Sequence, residues 1–317
     1  MPATCASNCW FLTGPTASGK TDLAVELAHL LDAEILSLDS MAIYRRLDIG
    51  TAKPSVQVRA LVPHHLIDVA EPEEEFSLAQ YIAAAEAKVA EIQARGREPL
   101  FVGGTPLYLK SLLRGIFHGP AADWEFRHKL ESEAAGSEPG WLHERLVEVD
   151  PTAARRLHPR DTRRLIRALE VYEKTGRPIS ELQQQFDRAR PAEACRVFVL
   201  DWPREELDDR INRRVEAMFA EGLVAEVESI LAAGRHLGRT AAQAVGYREV
   251  LEHLLGQRDL ATTIELVQLR TRQFSRRQMT WFRSLSECRV VPLSAAIPDA
   301  DDPKAVARRI VDQAAGL

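Results

Sequence analysis

Cys9-Trp10-Phe11-Leu12-Thr13-Gly14-Pro15-Thr16-Ala17-Ser18-Gly19-Lys20-Thr21 is the stretch on which the fold turns. A short apolar run, Cys9 to Leu12, leads straight into a match to G-x-x-x-x-G-K-[ST] over residues 14–21. From Asp22 onward, Leu23, Leu27, Leu30 and Leu31 recur at the spacing of one helix face. Strand, glycine-rich turn and helix in that order form a phosphate loop, whose backbone N–H groups converge on phosphate oxygens at the positive end of the helix. Lys20 adds charge at the terminal phosphates, and the Thr21 hydroxyl is placed to ligate Mg²⁺. The motif calls for a phosphate and leaves the reaction open.

Working outward, Ile35, Leu36 and Leu38 predict a second strand ending at Asp39. Ser77 with Gln80 three residues on predicts a capped helix that Gly96 closes. Leu100, Phe101 and Val102 predict a third strand running into Gly103-Gly104. Strands alternating with helices imply a parallel, doubly wound α/β sheet. From about Gly119 to Ala194 no strand pattern appears, only helical stretches broken by glycine and proline. The strand signal resumes over residues 197–200, and two helices closed by Gly222 and Gly234 follow. A long helix from about Ala261 to Leu285 and a late strand near Val290 complete the pattern. The organisation expected is a P-loop α/β core over residues 1–118 and 196–317, interrupted by a helical insertion over residues 119–195.

The 317 residues, 45% hydrophobic and 27% charged, have the composition of a globular chain. No apolar run nears the roughly 20 residues that span a bilayer, and no basic-then-apolar leader opens the sequence, so a cytoplasmic location is expected. Cys5, Cys9, Cys195 and Cys288 show no paired spacing and read as thiols in a reducing compartment. The net charge of −5 hides segregation: residues 155–167 hold six arginines against Asp161 alone, and residues 270–283 hold five arginines and no acid. Such clusters keep a polyanionic partner open whatever the total.

Open α/β sheets bind ligands beyond the carboxyl ends of their strands. Asp39 is therefore expected to share a crevice with Lys20, as a base or hydrogen-bond acceptor for a nucleophile; a magnesium-organising or capping role is the alternative, and Asp201, ending a later strand, competes with it. Gly103-Gly104-Thr105 opens onto the same crevice or is a plain turn. His64 and His65 have no metal partner in view and read as ordinary buried or surface histidines. Asp161 caps a predicted helix to Thr175, closed by Gly176, on which Arg163, Arg164 and Arg167, with Arg160 just before, share one face opposite Leu165, Ile166, Leu169 and Tyr172. That face either tracks phosphates or is simply solvated. Arg210, Arg213 and Arg214 follow Asp201, within reach of a leaving diphosphate.

With the phosphate loop, LSLDSMAIYRRLDIGTAKP (residues 36–54), PHHLIDV (residues 63–69), GGTPLY, AVGYRE and RQFSRRQMTWFR in view, the chain resembles the bacterial tRNA dimethylallyltransferases over nearly its whole length. That resemblance implies transfer of a dimethylallyl group from dimethylallyl diphosphate to the exocyclic amine of the adenine 3′-adjacent to the anticodon in tRNA, with release of diphosphate. It implies a helical insertion gripping the anticodon stem-loop, Mg²⁺ as cofactor, and a monomer. By matching motif, Gly14, Pro15, Thr16, Ala17, Ser18, Gly19, Lys20 and Thr21 are expected to cradle the diphosphate, with Thr16 near the scissile bond and Thr21 on the metal. Asp39 is expected to hold or deprotonate the amine, and Arg214 to neutralise the leaving group. Asp39, Ser40, Met41, Ala42, Thr105, Arg127, Arg163, Arg164, Leu165, Ile166, Arg167, Gln243, Ala244, Val245, Gly246, Tyr247 and Arg248 are expected in tRNA-contacting segments. Pro106 departs from a glycine common in the family and lacks an N–H, so the expectation rests on Thr105. No cysteine follows Cys288, which fits the bacterial form without a zinc finger. A small-molecule kinase using ATP shares the loop and the strand-end acid but gives no use for the arginine clusters. A guanine-nucleotide switch lacks its N-K-x-D motif, and a free-nucleotide prenyltransferase has no need of the insertion.

Overall fold

The computed structural model describes residues 8–117, 119–183, 189–297, 299 and 302–315. Six strands, β1 (Trp10–Thr13), β2 (Ala33–Ser37), β3 (His64–His65), β4 (Glu98–Gly103), β5 (Val197–Asp201) and β6 (Cys288–Pro292), form one sheet in the order β3-β2-β4-β1-β5-β6. Every neighbouring pair is parallel. Parallel strands covered on both faces read as continuous apolar runs, and β1 and β2 are buried along their whole length. β3 escapes the sequence pattern because it is two histidines long, so the strand expected third is the fourth in the chain.

The helix Lys20–Leu31 follows β1 and buries Leu23, Ala24, Leu27 and Ala28 at helical spacing. It packs against the helix Pro303–Ala314, which buries Val306, Ala307 and Ile310 and which the sequence pattern does not resolve. The Ser77 capping box is present on the helix Leu78–Ala94. A second apolar cluster gathers Tyr44, Leu47, Leu223, Val227, Tyr247 and Val250.

The chain divides into two compact units, one of residues 1–113 and 189–317, the other Arg114–Arg188. The second unit begins and ends a few residues earlier than the composition suggests. At its far boundary the reason is visible: Arg190 N donates to the buried Glu287 (3.2 Å), and Ser286 Oγ donates to Arg190 O (3.1 Å), so this stretch belongs with β6. Within the second unit the helices Trp124–Ala135, Trp141–Val149, Pro151–Arg156 and Thr162–Thr175 enclose Leu130, Leu142, Leu146, Leu165, Ile166 and Leu169. The last of these helices has the expected ends: Asp161 accepts from Arg164 N, and Gly176 closes it at φ 66°. The expectations for the N-terminal segment, with Cys5, lie outside the described residues. Among the described residues no helix is long and apolar enough to cross a membrane.

Candidate active site

The loops leaving β1, β2 and β4 at their carboxyl ends line one cleft of about 930 Å³, all of it within the first unit. The β1 loop starts at Gly14, whose φ of 148° suits only glycine; a Cβ there would stand 2.9 Å from Leu200 O. Two side chains fix the loop from outside. Trp202 Nε1 donates to Ser18 O (3.1 Å), and Arg210 Nε donates to Ala17 O (3.0 Å) with its guanidinium 4.2 Å over the Trp202 ring.

Lys20 begins the helix and folds back over the loop, donating to Pro15 O (2.6 Å), Gly14 O (3.1 Å) and Ser18 Oγ (3.3 Å). Burial, and then the charge of Arg214, lower its pKa to about 7 against a raising pull from Asp39. Burial likewise works against the charge of Arg214, and Asp39 supports it. The helix Arg204–Ala220 thus presents Arg210, Arg213 and Arg214 to the cleft, joined by Arg277 from the helix Leu260–Arg283. Asp22 and Asp39 are the acids on its wall.

Asp39 follows β2 in an Asx turn, its Oδ1 accepting from Met41 N (2.8 Å) and Ala42 N (3.3 Å). The turn ties one carboxylate oxygen to the backbone at the wall of the cleft. Behind it, Tyr81 donates to Ser37 O (2.8 Å) and stacks on Tyr108 with centroids 3.8 Å apart, bracing the end of β2. Thr105 ties the β4 loop to the β2 loop: its N–H donates to Leu38 O (3.1 Å), and its hydroxyl oxygen accepts from Ser40 N (3.0 Å). Pro106 is the first residue of the helix Pro106–Arg114, where a missing N–H costs nothing.

Of the expected site residues, the cleft brings together Thr16, Ala17, Ser18, Gly19, Lys20 and Thr21 with Asp39, Ser40, Met41, Ala42, Thr105 and Arg214. Gln243, Ala244, Val245 and Gly246 form another part of its wall. Asp201 drops out as a rival to Asp39: it lies off the cleft and accepts from Arg283 Nη2 (2.9 Å).

Several expectations need correction. Tyr247 is wholly buried, its hydroxyl donating to Glu226 Oε1 (2.5 Å), so it supports the wall from behind rather than offering a contact surface. Leu165 and Ile166 are core residues of the second unit, because they occupy the apolar face of their helix. Arg127 and Arg167 are not solvated phosphate hooks. Both converge on Glu170, a fully buried carboxylate that accepts from Arg127 Nε (2.8 Å) and Nη2 (2.7 Å), from Asp123 N (2.7 Å) and from Arg167 Nη1. Arg163, Arg164 and Arg248 are exposed.

Gln278 and Glu226, like Arg277, belong to the site without a counterpart among the expected residues. Gln278 is a buried side chain whose amide bonds both the β1 loop and the β4 loop. Its signal in the sequence is its place inside RQFSRRQMTWFR, on the apolar side of an arginine-rich helix. Glu226 accepts from Asp48 N (2.9 Å) and Ile49 N (2.8 Å) and holds the loop that lines the cleft at Gly50 and Thr51. His65 does have a structural use: its Nε2 meets Glu34 (2.6 Å), which also accepts from Arg95 (2.7 Å), while His64 Nδ1 meets Val62 O (2.7 Å). Among the described residues there is no cluster of three or more His, Cys, Asp or Glu side chains that could hold a metal.

Residues 42–285 match the family model described as IPP transferase. A tRNA dimethylallyltransferase of Rhodopirellula baltica is 49% identical over 300 residues, covering 92% of this chain and 90% of that protein. One from Geobacter sulfurreducens is 46% identical over 272 residues, 86% of this chain and 88% of the relative. Among solved structures, the full-length tRNA isopentenylpyrophosphate transferase of Bacillus halodurans superposes with a TM-score of 0.69 at 35% identity, covering 98% of this chain and 97% of that one. A eukaryotic dimethylallyltransferase acting on tRNA gives a TM-score of 0.74 at 27% identity, over 95% of this chain and 77% of that one.

Proposed function

The chain belongs to the IPP transferase family, and from that premise we propose how its cleft carries out the family's reaction. It transfers a dimethylallyl group from dimethylallyl diphosphate to the exocyclic amine of the adenine 3′-adjacent to the anticodon in tRNA, releasing diphosphate. The observation that carries the reading is one cleft lined by a phosphate loop, the cations Lys20, Arg213 and Arg214, and the carboxylate-bearing Asp39 at the end of β2.

The diphosphate lies on the β1 loop. As the allylic C–O bond breaks, its electron pair moves to the diphosphate oxygen and positive charge spreads over the prenyl group. Lys20, Arg214 and the loop amides stand where the negative charge develops, and such preorganised groups are usually the largest contribution to the rate. Lys20 enters the reaction by exchanging its bonds to Gly14 O and Pro15 O for diphosphate oxygens. The Thr16 hydroxyl hydrogen-bonds the oxygen at the scissile bond. The adenine amine forms the new C–N bond to the allylic carbon as the diphosphate departs, and its proton passes to Asp39. The adenine must leave its stack to arrive there, which costs least in a loop.

The donor set suits Mg²⁺. It is a hard ion that takes one or two protein oxygens and completes its shell with substrate phosphates and water. The Thr21 hydroxyl and the carboxylates on the cleft wall are such oxygens. Bound there, the ion would neutralise diphosphate charge. The Asp39 turn, the wall at Gln243, Ala244 and Val245, and the exposed Arg163 and Arg164 of the second unit are the surfaces assigned to tRNA. Incubation with dimethylallyl diphosphate labelled in its prenyl group, beside ATP labelled in its terminal phosphate, tests the reading. Label moving from the first into tRNA supports it. Label moving only from ATP to a small acceptor would make the enzyme a kinase.

A further inference from the structure

Gln278 sits in the last two turns of the helix Leu260–Arg283, 3% exposed, and its side-chain amide lies between two loops of the cleft. Its Oε1 accepts from Thr16 N (3.0 Å) on the β1 loop, and its Nε2 donates to Gly104 O (2.5 Å) on the β4 loop. Only one orientation of the amide serves both partners, since Thr16 offers a donor and Gly104 an acceptor. Gly104 makes room for the contact: a Cβ there would lie 2.5 Å from Gln278 Nε2. The chain of bonds then continues. Thr105 follows Gly104, and its hydroxyl accepts from Ser40 N beside Asp39. One buried amide therefore ties the loop that carries Thr16 to the loops that carry Asp39.

We infer that Gln278 is a positioning residue that sets the distance between the donor grip at Thr16 and the carboxylate at Asp39. The inference rests on the reaction proposed above. Gln278 touches neither reacting group, and either half of the cleft can bind its ligand without it. What it supplies is their spacing, and misplacement by about 1 Å costs on the order of 10²-fold in rate.

The signature is therefore a fall in kcat without a matching fall in binding. Gln278→Met keeps the length and apolar stem and removes both hydrogen bonds. It is expected to lower kcat by roughly 10²-fold, with Kd for inorganic diphosphate and for tRNA within a few-fold of wild type. Gln278→Glu is the second variant, and it stays informative where Gln278→Met folds poorly. A protonated carboxyl repeats the amide's pattern, its carbonyl oxygen accepting from Thr16 and its hydroxyl donating to Gly104. An ionised one offers only acceptors and meets the Gly104 carbonyl with like charge. Its kcat relative to wild type should rise as pH falls, whereas that of Gln278→Met should not. Gly104→Ala pushes on the same amide from the other side, so its effect and that of Gln278→Met should combine to less than their product.

Wild type assayed in parallel separates the two readings. No prenyl transfer by wild type would remove the proposed reaction itself. Transfer by wild type with Gln278→Met equally fast would overturn only the positioning role. So would a Gln278→Met defect found wholly in diphosphate affinity, or a Gln278→Glu defect that ignores pH.

Discussion

Lys20 is held near neutrality before any ligand arrives, and the sign of its pH effect follows. Burial and Arg214 lower its pKa to about 7, so above that pH the free cleft holds a neutral amine, and bound diphosphate must draw in a proton to gain an ammonium. Below it the charge is already present. Affinity for inorganic diphosphate, taken relative to Lys20→Arg at each pH, is expected to weaken as pH rises through about 7. The ratio cancels the titration of diphosphate itself, and calorimetry across pH measures it; a flat ratio would put the Lys20 amine outside the diphosphate grip. Asp39 is predicted from the other side of the reaction. Asp39→Asn keeps an acceptor for the Met41 and Ala42 amides but loses the base, so transfer should slow by about 10²-fold or more while both substrates bind. Single-turnover rates beside binding constants decide this, and a rate within a few-fold of wild type would free Asp39 of its role. Much of this is legible at the residue scale: the loop motif announces Lys20 and Thr21, and the end of an apolar run announces Asp39. The role of Gln278 is not: it falls inside RQFSRRQMTWFR, but that motif does not say what the glutamine bonds, and its partners lie 174 and 262 residues away along the chain.

The helix Thr162–Thr175 shows what an element's own sequence reveals and where it stops. Its cap, its end and its two faces follow from spacing alone, and the structure bears out the apolar face in Leu165, Ile166 and Leu169. The polar face divides in a way that spacing does not convey. Arg167 shares the buried Glu170 with Arg127, an arginine from another helix, and only tertiary packing brings that partner in. Arg127→Ala should therefore act through stability: it leaves Glu170 with fewer donors and is expected to cost on the order of 2 kcal/mol. Chemical unfolding measures that, and Arg127→Ala with unchanged stability but weakened tRNA binding would return Arg127 to the RNA surface. Arg163 and Arg164 are the residues to test against phosphates. Replacing both by Ala should weaken tRNA binding and lower the log–log salt slope by about 0.7 for each phosphate they neutralise, with diphosphate affinity unchanged. An unchanged slope across a salt series would make them a solvated face.

At the scale of the molecule, the parallel sheet and its interruption by a helical unit are legible because buried parallel strands read as apolar runs and the insertion has none. The short β3 is not, for want of length; the helix Pro303–Ala314 carries a local start in Asp302 and Pro303 and an apolar stripe at Val306, Ala307 and Ile310, which the pattern of strands and motifs does not single out. The cleft itself is legible only in outline. The sequence places three strand ends together, but the wall at Gln243, Ala244 and Val245 comes from a segment with no strand to announce it. In the proposed function all of these parts serve one activity, in which the cleft would move a prenyl group from a diphosphate to an RNA base. The measurement that tests it most directly is mass analysis of nucleosides from tRNA incubated with the enzyme, dimethylallyl diphosphate and Mg²⁺, with fragment mapping of the modified position. The expected product is adenosine carrying one dimethylallyl group, at the position 3′-adjacent to the anticodon, with Asp39→Asn forming it about 10²-fold or more slowly. Unmodified tRNA under conditions where the donor is bound, or a modified base elsewhere, would contradict it.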